Sequence, residues 1–175
     1  MISQRHISIH DRFLKPVMYI LLILSTFFIL PLMAQPEKPP RPIKVTTYQN
    51  LSFGSVILGF SGGTVTMGPT GIRSVSGDLI LPSLGSQGSE AIFEVKAPPG
   101  TLITMVLGNT TLTNGAHSMD LTLGPTDPVS PSFIMKNQPG QTILVHVGGT
   151  LSVGNSSKNP AGNYSGTFMV TFAQQ

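Results

Sequence analysis

"NYSGTFMVTFA", Asn163 to Ala173, is the stretch on which the fold turns. Tyr164, Gly166, Phe168, Val170 and Phe172 fall on one side of a two-residue period. Ser165, Thr167, Met169, Thr171 and Ala173 fall on the other. Successive side chains of a strand point to opposite faces, so this pattern predicts a strand with one apolar and one mainly polar face. It follows an Asn-Pro-Ala-Gly turn signal at 159–162 and stops two residues before the end of the sequence. A strand in that place predicts a closing ribbon that completes a core laid down earlier in the chain.

Upstream, no stretch after Pro42 carries apolar residues at helical spacing over three turns. Short runs bounded by Gly, Pro and Asn predict strands at Ile43–Tyr48, Leu51–Leu58, Gly62–Met67, Gly77–Leu81 and Glu90–Ala97. Within the last of these, Ala91, Phe93 and Val95 form the expected core face, opposite Glu90, Ile92 and Glu94. Pro99-Gly100 has the residues of a type II turn, with φ preset by proline and positive φ supplied by glycine. Thr101–Leu107 then leaves as a strand. Asn114-Gly115 predicts a two-residue hairpin between Thr110–Thr113 and Ala116–Leu123. Thr142–Val147 and Thr150–Val153 are expected as two strands separated by a Gly-Gly break.

Eight to ten short strands in the ~130 residues from Ile43 to Gln175 indicate an all-β, antiparallel, immunoglobulin-like β-sandwich, with a closed barrel as the alternative. Composition agrees. Of 175 residues only 10% are charged, Gly (19) and Pro (15) are abundant, and there is no cysteine. A chain without cysteine has no disulfide, thiolate catalysis or thiolate-bound zinc, and must be held by its core.

The N-terminus reads as an address. Basic residues Arg5, Arg12 and Lys15 precede the apolar run Val17–Ala34, which predicts a signal peptide at 1–34 cut between Ala34 and Gln35. An uncleaved anchor is the alternative. "QPEKPPRP" (35–42) holds four prolines and predicts an extended linker. The domain is then 43–175, outside the cytoplasm: periplasmic, at the cell surface or secreted. From Gln35 onward seven basic residues face six acidic ones, a balance that offers no nucleic-acid-binding stripe.

Residues able to carry chemistry are few and scattered. His117 and His146 lack metal-ligand spacing, and Asp78, Glu90, Glu94, Asp120 and Asp127 form no motif. "GFSGGT" (59–64) lacks the Gly-Lys-Ser/Thr ending of a phosphate loop and leads into a strand. No catalytic, cofactor-binding or metal residues are assigned, and the chain is not read as an enzyme.

Three segments carry a resemblance. "NLSFGSVILGFSGGTVTM" (50–67), "AIFEVKAPPGTLITMVL" (91–107) and "VGGTLSVGNSSKNPAGNYSGTFMVTF" (147–172) resemble, in order, the opening, central hairpin and close of the domain-of-unknown-function 4402 family. The last is also similar to spore-coat-U and Csu-type pilins, from which this chain departs in lacking their cysteines. The resemblance implies a secreted bacterial β-sandwich, pilus-related or surface-associated, with no established catalytic residues. The expected function is therefore a non-catalytic structural or fimbria-like surface component. A protein partner would contact it through a sheet edge or loops, without nucleic acid. The alternative is a module binding a glycan or protein through the loops Pro82–Ser89 and Gly124–Pro131. As a strand donor, 35–47 offers four prolines and only Ile43 and Val45 as apolar knobs, so a self-complete sandwich is favoured over donor-strand polymerisation.

Overall fold

A computed structural model describes residues 42–136, 140 and 142–175. The expected signal peptide (1–34) and, apart from Pro42, the expected linker lie outside the described residues. The described residues belong to one compact unit, Pro40–Gln175.

They form ten strands and no helix. In chain order these are β1 (Lys44–Gln49), β2 (Ile57–Met67), β3 (Arg73–Ile80), β4 (Ala91–Lys96) and β5 (Leu102–Leu107), followed by β6 (Thr110–Asn114), β7 (His117–Asp127), β8 (Ser132–Ile134), β9 (Ile143–Val153) and β10 (Val170–Gln174). All pairings are antiparallel. One sheet has seven strands; the other has three, in the order β10-β5-β8. The expected all-β antiparallel sandwich is what the chain adopts.

Strand β9 organises the large sheet. Along one edge Ile143–Val147 pairs with β4, and Gly149–Val153 then pairs with β2. Along the other edge β7 pairs with His146–Ser152 and so spans the junction of β4 and β2, with one extra residue on β7 between Leu123 and Thr126. Gly148-Gly149, expected as a break, is therefore the middle of one continuous strand. Its glycine is needed for close approach: a Cβ on Gly148 would lie 2.1 Å from the Met67 carbonyl oxygen. Here absent side chains let one strand pass the junction of two neighbours.

The other differences have similarly local causes. Residues 59–61, expected to separate two strands, lie with Gly62 in a bulge inside β2: Leu58 pairs with Leu79 and Gly63 with Gly77, leaving three extra residues on β2. Gly62 takes φ +80° there, which suits glycine. The Pro99-Gly100 turn forms as expected, with Thr101 N–H donating to Pro98 O at 3.2 Å and Gly100 at φ +81°. The hairpin turn is displaced by one residue. Asn114 pairs with His117, so Gly115-Ala116 fills the turn, and glycine at its first position with positive φ fits a type II′ geometry.

Ala91, Phe93 and Val95 face the core as expected, at 0, 9 and 0% exposure. Ile92 is buried too, between its register partners Gln49 and His146 on the outer side. Phe93 sets its ring edge-on against Phe168 and Phe172, with centroids 6.5 and 5.7 Å away, so the C-terminal segment does pack on the core. Only Val170–Gln174 of it is a regular strand, however. Residues 163–169 make one backbone bridge to β6, Thr113 to Ser165. The closing ribbon is half as regular as its period implies.

Beneath these differences lies an ordered surface. In the half of the large sheet running β3-β2-β9-β7-β6, four strands carry a hydroxyl–apolar–hydroxyl triplet. These are Ser74-Val75-Ser76, Thr64-Val65-Thr66, Thr150-Leu151-Ser152 and Thr111-Leu112-Thr113, with Asp120-Leu121-Thr122 as the variant on β7. The middle residues pack into or against the core and the flanking ones face outward.

Candidate functional site

An apolar groove of about 730 Å³ opens at the end of the sandwich where β9 stops. Its floor is built from the core face of the large sheet, with Met119 and Leu121 of β7 beside Leu151 and Val153 of β9. One wall is the extended segment 51–58, and the other is 160–168. Tyr164 is the one lining residue with an ionisable side chain. Such a lining, apolar on the floor and polar in places along the walls, favours an uncharged occupant.

Each wall is fixed by one polar side chain. Arg73 donates from Nη1 to the Phe53 and Ser55 carbonyls at 2.6 and 2.9 Å, and so holds the first lip. Asn159, only 2% exposed, fixes the second. Its Nδ2 donates to Ser118 O at 2.8 Å, and its Oδ1 accepts from Gly154 N–H at 2.6 Å. This one amide satisfies groups left over where β9 turns away from β7. Tyr164 adds a hydroxyl hydrogen bond to Pro160 O at 3.0 Å.

The second wall ends in a half-used strand edge. Ser165 exchanges both backbone hydrogen bonds with Thr113 (2.8 and 3.1 Å), Thr167 O accepts from Thr110 Oγ1, and Met169 O accepts from Gly108 N–H. In an extended chain, alternate residues turn their N–H and C=O to opposite edges. Residues 165, 167 and 169 thus point at β6 and its neighbouring loop, while 164, 166 and 168 point the other way. Among the described residues, no hydrogen bond is made by the backbone of Tyr164, Gly166 or Phe168. All three residues line the groove. Unpaired backbone beside an apolar trough can receive an extended strand, with the edge giving main-chain bonds and the trough taking alternate side chains.

Of the residues considered from sequence for chemistry, only His146 and Glu90 meet among the described residues. His146 Nδ1 lies 3.2 Å from Glu90 Oε1, a partly buried pair that nothing in the spacing announced. His117 Nδ1 contacts Lys158 O at 2.9 Å. No group of three or more His, Asp or Glu able to hold a metal occurs among the described residues. The "GFSGGT" amides are taken internally: Asp78 Oδ2 accepts from Phe60 N–H at 2.5 Å and Ser61 N–H at 3.2 Å. Of the two candidate binding loops, Pro82–Ser89 is tied down through Ser86 O and Ser89 to Ser55 and Ser52. Gly124–Asp127 belongs to β7, and Thr126 closes the rest of the second loop on Pro128 and Ser130. Sequence reasoning missed the groove altogether. Its signal was weak: a period-two segment whose polar positions are Ser and Thr and whose apolar side contains Gly166.

The sequence profile of a domain of unknown function, DUF4402, matches residues 43–173, a span that takes in nearly all of the described residues. No curated protein and no solved structure matches the chain.

Proposed function

The chain belongs to the DUF4402 family, and from that premise we propose that it is a non-catalytic, extracytoplasmic surface component that assembles with other protein by accepting an extended strand. One observation carries this reading: the unpaired backbone of Tyr164, Gly166 and Phe168 along a charge-poor apolar groove. An enzyme would use such a trough differently, by converging acids, bases or a nucleophile on it, and Tyr164 alone would serve there. The apolar run at 17–34, read as an export signal, supports placing this contact outside the cytoplasm.

The partner strand would align beside 164–168 and drop alternate apolar side chains between Leu58 and Phe168, toward Leu121 and Leu151. Its identity as a second copy or a separate protein is what the experiment reads. Material from expressing cells is run on gels in SDS with and without boiling, and amide exchange is followed by NMR in monomer and assembly. The expected result is a boil-sensitive larger species in which the amides of 164, 166 and 168 exchange slowly, while in the monomer they exchange fast. Monomer alone from surface material, or equal exchange in both forms, would overturn the proposal.

A further inference from the structure

The hydroxyl triplets line up across strands. Register places Ser76, Thr64, Ser152, Asp120 and Thr111 in one row over five strands, and Ser74, Thr66, Thr150 and Thr122 in the next over four. Neighbours in a row are about 4.8 Å apart, and the rows are about 7 Å apart along the strands. These residues are exposed or half-exposed. They sit on the face opposite the groove, because their triplet partners Leu151, Leu121 and Leu112 form part of the groove lining. From this array we infer that the outer face of β3-β2-β9-β7-β6 is a binding surface for a neutral, linear, polyhydroxylated polysaccharide.

The chemistry of the face selects that occupant. A hydroxyl offers one donor and two acceptor sites, so a field of hydroxyls matches a ligand whose groups also both donate and accept. Thr64 with Ser76 (2.7 Å) and Thr66 with Thr150 (3.2 Å) bond to one another, which sets their orientation and leaves further capacity pointing outward. Charge complementarity excludes the rival classes. The two rows hold no Lys or Arg and a single acid, Asp120, so phosphate, sulfate and uronate chains find no counter-charge. No large apolar side chain stands in the rows, so a lipid surface or a protein hot spot has no anchor there. Sheet twist of roughly 20–25° per strand turns the rows out of one plane, which suits a flexible chain and not a crystalline lattice. With no aromatic ring within the two rows to stack on a sugar, each contact there is weak, and length supplies the affinity.

The inference does not depend on strand acceptance, and its test uses the other face. Isotope-labelled full chain, as exported, is titrated with cellohexaose and mannohexaose, and with oligogalacturonate as the charged counterpart. Expected are NMR shift changes centred on Thr64, Thr66, Thr150 and Thr122 with at least one neutral sugar, and none with the charged one. The double variant Thr66→Val, Thr150→Val keeps β-branched side chains while removing two hydroxyls. It should lose at least tenfold in affinity with its thermal unfolding unchanged. No shift with either neutral sugar overturns the inference, as do shifts confined to the groove walls or full affinity in the double variant. Ice shaping without sugar binding would overturn it too, and assign the array to ordered water.

Discussion

Asn159 shows how much one buried side chain can settle. It stands where β9 ends, and its amide serves both Ser118 O and Gly154 N–H. Replacing it by alanine would leave two partly buried groups, Ser118 O and Gly154 N–H, without this partner, each costing about 1–2 kcal/mol, the lower part of the range for a buried group. We expect Asn159→Ala to lose about 2–4 kcal/mol in urea unfolding at an unchanged m-value. Asn159→Asp, which keeps the acceptor but buries a carboxylate with one oxygen facing Ser118 O, should lose at least as much as alanine. Phe60 is the contrasting case. It is 95% exposed at the tip of the β2 bulge, and Asp78 binds the backbone beneath it. Phe60→Ser should therefore move stability by less than about 0.5 kcal/mol. Neither weight could be read from the sequence, where Asn159 looks like one residue of an Asn-Pro turn and Phe60 like one residue of a Gly-rich turn. Burial is a property of what folds over a residue, and both residues are covered or left bare by segments far away in the chain.

Strands and turns were the legible layer. Pro99-Gly100 makes its expected turn, and the alternation of Ala91, Phe93 and Val95 puts them inside, because both signals act within a few residues. Glycine pairs were harder to read. The same Gly-Gly that punctuates a loop elsewhere permits close strand passage at Gly148-Gly149, and local sequence cannot separate the two uses. Gly148→Val tests this directly. Valine has the better strand propensity, on a scale spanning about 1 kcal/mol. Its side chain would meet the Met67 carbonyl, since even a Cβ would lie 2.1 Å away. We expect an insoluble or cooperatively unfolded variant, whereas Thr150→Val two residues on should remain folded. Circular dichroism and chemical denaturation of the pair distinguish a tight crossing from an ordinary strand position.

At the scale of the molecule, the C-terminal segment both closes the core and leaves it open. Phe168 and Phe172 cover Phe93, while Tyr164, Gly166 and Phe168 keep an unpaired edge on the groove. Removing Tyr164–Gln175 would bare that core and delete β10. The truncated chain should lose cooperative thermal unfolding and aggregate; a monomer of parental heat resistance would show that the ribbon is dispensable. The sequence by itself determined the all-β class, the Pro99-Gly100 turn, the inward face of Ala91, Phe93 and Val95 and the family, since a two-residue period and turn chemistry are local. Only the tertiary structure decided which strands are neighbours and in what register. That pairing joins residues up to 90 positions apart, Gly63 with Val153. It alone aligns scattered hydroxyls into rows and leaves one stretch of backbone without a partner, because hydrogen bonding between strands is a contact between distant parts of the chain and leaves no periodic trace in either part.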